Sequence, residues 1–170
     1  MIAGSIVIST YGEKIGLINS VFRFMLLSGF CIFVAGLRPS VSLLAFATFF
    51  FSFSLPIISG SIHTIFQRKV VPNLQGRVFA LMRSATGISL SLAYIVVGPL
   101  ADNLFEPLLT PDGLLATSLG QIIGIGSGRG IALMFITMGI ITILLTFAAY
   151  QYTPLRLLEY QIPDIQQESI

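Results

Sequence analysis

Four apolar segments, each long enough to cross a bilayer as one helix, constrain this chain more than any other feature. They lie at about residues 15–37, 41–66, 78–101 and 131–152. The hydrocarbon core of a membrane requires about 20 apolar residues of helix, and lipid offers no hydrogen-bond partners to open backbone. The segments do not alternate polar and apolar residues as barrel strands do. The sequence therefore predicts an all-α membrane protein with four complete transmembrane helices.

The scarcity of charged residues excludes a water-soluble fold. Only 9% of the residues are charged and 55% are hydrophobic, whereas a soluble domain carries about 25% charged residues. The net charge of +2 is too small to attract nucleic acid. The expected partner is therefore the lipid bilayer.

The first ten residues, MIAGSIVIST, are apolar but too short to cross a membrane. As a helix they would reach about 15 Å, half the hydrocarbon thickness, and no basic region precedes them as in a signal peptide. We interpret them as the end of a fifth helix whose beginning is missing; a frayed terminus is the alternative. The chain then divides into a membrane domain, residues 1–152, and a cytoplasmic tail, residues 153–170.

The distribution of Lys and Arg predicts the orientation, because positive residues stay in the cytoplasm. One side of the membrane carries Lys14, Arg23, Arg68, Lys69, Arg77, Arg83 and Arg156. The other side carries only Arg38 and Arg129. The carboxyl terminus and the basic segment 67–78 are therefore expected inside, and the segment 102–130 outside.

Reporter fusions test this orientation. A reporter that is active only in the cytoplasm should be active when fused after Ile170 and silent when fused after Gly113, which lies in the predicted outer segment. The opposite pattern would invert the assignment.

The segment between the second and third spans is predicted to be a basic turn. Pro72 is expected to end the preceding helix, and Gly76 to permit a tight turn. Arg77 has two interpretations. It anchors the third span at the lipid headgroups, or it holds a helix terminus or an acidic partner when the protein changes state.

The third span carries small residues along one face. Ala85, Ser89 and Ala93 are four residues apart, and such a stripe lets helices pack closely in lipid. A helix that slides against a neighbour would need the same smooth face. Gly98 and Pro99 are expected to break the helix near its outer end.

Two stretches of this region resemble the major facilitator superfamily, most closely its drug- and siderophore-exporter-like branch. Pro72, Gly76, Arg77 and Val78 match the family's Pro-x-x-x-x-Gly-Arg-Val stretch between helices ten and eleven, with one residue fewer between Pro and Gly. The run from Gly98 to Asp102 matches a Gly-Pro-Leu-Ala-Asp stretch near the end of helix eleven. The resemblance implies that the four spans are helices nine to twelve of a twelve-helix transporter fold.

The resemblance also implies a function. It implies transport of a small solute across the cell membrane, as efflux by a secondary transporter that uses alternating access. The chain would be an incomplete portion that pairs with the missing amino-terminal half or with another copy. The substrate is unknown. The alternative is a small multi-pass scaffold or assembly subunit that transports nothing.

The second span contributes two candidates for a substrate or proton path, Pro56 and His63. An ionisable residue within the membrane is a functional hypothesis by default. No Asp or Glu lies in any of the four segments to relay a proton, so a plain hydrogen-bonding role for His63 is the alternative. Pro56 is expected to kink its helix.

The remaining motifs predict neither an enzyme nor a cofactor or metal site. Cys31 is the only cysteine, and no pairing of nucleophile and base is evident. The stretch GIGSGRG, residues 124–130, lacks the βαβ setting of a phosphate-binding loop and is interpreted as a hinge. The stretch LLATSLGQIIG, residues 114–124, is predicted to be either an amphipathic helix on the outer surface or a loop packed on the bundle.

Overall fold

The described part of the chain is all-helical. The computed structural model describes residues 16–38, 40–110, 113, 115, 118–124, 126 and 128–153. Its helices are α1 (Leu17–Leu37), α2 (Val41–Lys69), α3 (Pro72–Leu100), a π-helical segment (Ala101–Phe105), α4 (Glu106–Leu108), α5 (Gly120–Ile123) and α6 (Arg129–Gln151). Four helices, with the third counted through Leu108, are long and apolar enough to cross a membrane. For the described residues, the prediction of an all-helical chain with four helices long and apolar enough to cross a membrane is confirmed.

Helix α1 is the centre of a three-helix group, with α2 packed on one side and α6 on another. The contact with α6 is close because glycines lie in it. A Cβ atom on Gly139 would lie 2.6 Å from the backbone nitrogen of Phe33, and one on Gly36 would lie 2.5 Å from the carbonyl oxygen of Ala132. The two backbones therefore touch, as small residues allow in a membrane, where van der Waals packing drives helix association.

Helix α2 turns one narrow face inward. Its buried residues are Ala47, Ser54, Ile57 and Ser61. The Ser54 hydroxyl donates to the carbonyl oxygen of Phe50 at 2.8 Å, which satisfies a polar group in an apolar setting. The helix continues through Pro56 to Lys69.

Helix α3 differs from the other three long helices because none of its residues is buried. Near its start, the Gln75 side chain donates to the carbonyl oxygens of Gln67 and Val70, both at 3.1 Å. Beyond its end, Ala101 and Phe105 are buried in the π-helical segment, which packs against α6. Within the described residues, α3 is thus attached to its neighbours mainly at its two ends.

The predicted turn at 67–78 is wrong in its extent. Helix α2 continues to Lys69 and α3 begins at Pro72, so only residues 70 and 71 separate them. Proline suits the first position of a helix, where its missing N–H would have no partner anyway. Gly76 lies inside α3 and forms no turn.

The predicted break at Gly98 and Pro99 is also wrong. Helix α3 includes both residues and passes directly into the π-helical segment. A proline removes one hydrogen bond of the helix, and π-helix, which is rare, occurs mostly as single turns within α-helices, as it does here directly after Pro99 and Leu100. The Asn103 side chain adds a hydrogen bond to the carbonyl oxygen of Pro99 at 3.0 Å.

Two further expectations can be compared with the described residues. Ala85 and Ser89 are exposed rather than packed against a neighbouring helix, so the predicted close packing of this face is not observed there. Among the described residues of the segment 114–124, Leu115 and Leu119 pack on a buried cluster and the helix covers just Gly120–Ile123, which favours the packed loop. The interpretations of residues 1–10 and of the tail beyond Thr153 concern segments outside the described residues.

Candidate functional site

The segment that follows α3 contacts the start of α6 through a buried apolar cluster and through hydrogen bonds. A cluster of Phe105, Leu109, Ile123 and Leu133 is buried there, and Leu109 is completely inaccessible. This cluster ties the segment after α3 to the first turns of α6. It fixes one end of α3 in place.

The carboxylate of Glu106 lies at the same junction. It accepts hydrogen bonds from the backbone N–H of Gly128 and, at 3.0 Å, from that of Gly130. The first N–H groups of a helix have no partner within it and carry a partial positive charge. Glu106 therefore caps α6 from a different part of the chain.

Two positions of this capped turn, Gly128 and Gly130, have backbone geometry or surroundings that disfavour any residue with a Cβ atom. Gly128 has φ of +83°, a left-handed conformation that glycine adopts at no cost. A Cβ atom on Gly130 would lie 2.5 Å from the Cα atom of Glu106. The N–H groups of Gly128 and Gly130 are thus already occupied by a carboxylate.

Sequence reasoning missed Glu106. The available signal was an acidic residue in the segment between two spans, ahead of a span that starts in a glycine-rich turn. Helix starts favour negative charge. Glu106 and Gly128 are 22 residues apart in the sequence, however, so the sequence pattern does not indicate that these two residues pair. Asp102, which ends the Gly98–Asp102 stretch that resembles the exporter family, is exposed in the π-helical segment.

At the other end of α3, the ring of His63 lies 5.4 Å from that of Phe79, centroid to centroid. His63 is exposed, and no described residue forms an ion pair with it. The contact joins α2 to α3 near their connection. It supports a packing role for His63 more directly than a role in proton relay.

The predicted gate residues lie at this end as well. Pro72, Gly76 and Arg77 are all exposed and all belong to the first turns of α3. No described residue forms a hydrogen bond or ion pair with the Arg77 side chain. Their assignment to a gate remains a prediction, now placed on a helix start and not in a loop.

An open apolar cavity of about 460 Å³ lies between the second half of α3 and the other three long helices. Ala93 and Val97 line it from α3, and α1, α2 and α6 supply the rest of the wall. Its volume lies in the range of small-molecule sites, about 300–1,000 Å³. Of the residues selected from the sequence, only Ala93 lines this cavity; Pro56 and His63 do not.

Comparison with known proteins adds no assignment. A scan against protein families, a search of curated proteins and a search of solved structures each found no match. Within the described residues, no group of three or more His, Cys, Asp or Glu side chains is placed to hold a metal ion.

Proposed function

We propose that this chain is part of a secondary transporter that moves a small solute out of the cell by alternating access, with its carboxyl terminus in the cytoplasm. The observation that carries the proposal is the attachment of α3. It is a full-length span without a buried residue, attached at both ends, with the apolar cavity between its second half and the other long helices. Alternating access needs a helix that can part from its neighbours at one end while it stays attached at the other.

Helices α1, α2 and α6 form the part of the bundle that keeps its internal arrangement, here called the fixed body. The backbones of α1 and α6 touch at Gly36 and Gly139, and closely packed helices have no room to slide continuously. Helices α1, α2 and α6 would therefore move as one unit. Helix α3 is the element free to change its position.

The sequence resemblance supports the same division. Both stretches that resemble the exporter family lie at the two attached ends of α3, one from Pro72 to Val78 and the other from Gly98 to Asp102. A second half of the transporter, or another copy of this chain, would then face α3. An apolar cavity bordered by few polar groups suits a substrate with a hydrophobic body.

Distance measurements between spin labels test the proposal. Cys31, the only native cysteine, is replaced by Ser, and labels are attached at the exposed positions Ile88 on α3 and Ile141 on α6. The samples are the protein in lipid nanodiscs at two pH values, with and without the cationic dye ethidium. We expect at least two distances, several ångströms apart, whose populations change with conditions.

A matched pair of labels at Phe30 on α1 and Ile141 on α6 serves as the control, since both positions are exposed and lie in the fixed body. It should give one distance throughout. A single, unchanged distance for the α3 pair under every condition would favour the scaffold alternative.

A further inference from the structure

A groove lies where α1 begins and α6 ends, away from the cavity beside α3. Its volume is about 270 Å³. The rings of Phe22 and Tyr150 meet edge to face across the two helices, 5.4 Å between centroids. The groove is lined by Asn19, Phe22, Arg23, Leu26, Phe147 and Tyr150. We propose that it binds the headgroup phosphate of an anionic phospholipid.

Arg23 supplies the charge. It is the charged residue of the lining, it is exposed, and no described residue forms an ion pair with it. The start of α1 and the end of α6 carry opposite partial charges of about half a unit, which offset each other in the groove. The full charge of Arg23 therefore determines that an anion is preferred.

The depth of Arg23 fits a headgroup phosphate. It lies six positions after Leu17, the first residue of α1, which is about 9 Å along the axis. Side chains on a helix lean towards its N-terminus, so snorkelling would carry the guanidinium back towards the membrane interface. A guanidinium can bind a phosphate through two parallel hydrogen bonds.

The apolar walls favour a lipid over a soluble anion. Phe147 is 55% exposed and Leu26 is 36% exposed, so both offer surface to the glycerol and acyl portion of a phospholipid. A free phosphate ion would gain nothing from these walls. Basic pockets between transmembrane helices are a known form of site for anionic headgroups, and tyrosines such as Tyr150 are common at that depth.

The chain contains no tryptophan, so one introduced tryptophan reports on the groove alone. Phe147→Trp is placed in bilayers with brominated phosphatidylglycerol or brominated phosphatidylcholine, and quenching gives the relative association constants of the two lipids. We expect about a fivefold preference for phosphatidylglycerol, which corresponds to one basic residue near a lipid surface. Arg23→Gln should reduce the preference to about one.

Arg83→Gln is the matched control, because it removes an exposed arginine from a different helix; it should leave the preference unchanged. Equal quenching by the two lipids, or a preference that survives Arg23→Gln, would overturn the proposal. Loss of the preference when inorganic phosphate is added would assign the groove to a soluble anion instead. Should Phe147→Trp fail to fold, Leu26→Trp places the reporter in the same groove.

Discussion

Gly139→Leu is expected to lower the free energy of unfolding by about 3 kcal/mol, the upper part of the range for overpacking a close contact. The reason is that the new side chain meets backbone: a Cβ atom at this position already lies 2.6 Å from the nitrogen and 2.7 Å from the Cα atom of Phe33. Backbone atoms cannot rotate away, so α1 and α6 must separate. That separation weakens the packing of the helix pair on which the bundle is built.

Cys31 offers a direct measurement of this loss. It is the only cysteine and is buried on α1, 6% exposed, so a thiol-reactive dye labels it mainly after unfolding. On heating in detergent, the midpoint of labelling should fall by roughly 6 to 12 °C for Gly139→Leu, at about 2–4 °C per kcal/mol for a chain of this size. Gly139→Ala should give a smaller decrease, because alanine is the better helix former by about 1 kcal/mol.

Gly87→Ala is the matched control for these variants. Gly87 lies in α3, also a long helix, and a Cβ atom there would meet nothing within 4 Å. The substitution should be neutral or should stabilise the protein by up to about 1 kcal/mol. If Gly139→Leu and Gly87→Ala melt alike, α1 and α6 do not pack through Gly139.

The four spans could be predicted from hydropathy alone because bilayer thickness sets a minimum length of apolar helix. Their ends could not. Arg68 and Lys69 were assigned to a loop as charged residues, yet α2 continues through both, since long basic side chains extend to the interface while their backbone stays helical. The preference of glycine and proline for turns and helix ends was likewise overridden at Gly76 and Pro99, where the helix continues.

The close contact of α1 with α6 carried a weak signal in the sequence. Gly29 and Gly36 are seven residues apart, so they lie on one face of α1, and small residues on one face allow close approach. The same reasoning was applied to Ala85, Ser89 and Ala93, which do not form such a contact in the described structure. A stripe of small residues indicates where helices can approach each other but does not identify the partner that is within reach.

At the candidate site, too, the sequence pattern of one segment does not identify the segments that contact it. From the sequence, the small residues of the third span were interpreted as a packing or sliding face, whereas the cavity beside this span is formed by side chains from four helices. Their proximity depends on how the helices cross, which no single segment encodes. The cap of α6 by Glu106 likewise depends on a fold that brings two distant segments together.

The second large effect is expected when the Glu106 cap of α6 is removed. Glu106→Gln should destabilise the start of α6 by about 2 kcal/mol, within the range for hydrogen bonds to a charged group. The carboxylate accepts from two N–H groups, those of Gly128 and Gly130. A glutamine has one acceptor oxygen, and its NH₂ group cannot accept from the second N–H. The favourable interaction of a negative charge with the helix start is lost as well.

Hydrogen exchange measured by mass spectrometry would locate this loss. A peptide that begins at Gly128 and covers the first turns of α6 should exchange about 30 times faster in Glu106→Gln, the factor that corresponds to 2 kcal/mol of local opening. Peptides from the centre of α1 should be unchanged, because their contacts with α6 involve Gly139 and its neighbours instead.

Asp102→Asn removes the same charge four residues earlier and provides the control. Asp102 is exposed and no described residue forms an ion pair with it, so its loss should leave exchange at the start of α6 unaltered. Equal acceleration in the two variants would mean that only the general negative charge of this segment matters. Acceleration confined to Glu106→Gln would establish that the carboxylate holds the start of α6 to the segment that follows α3.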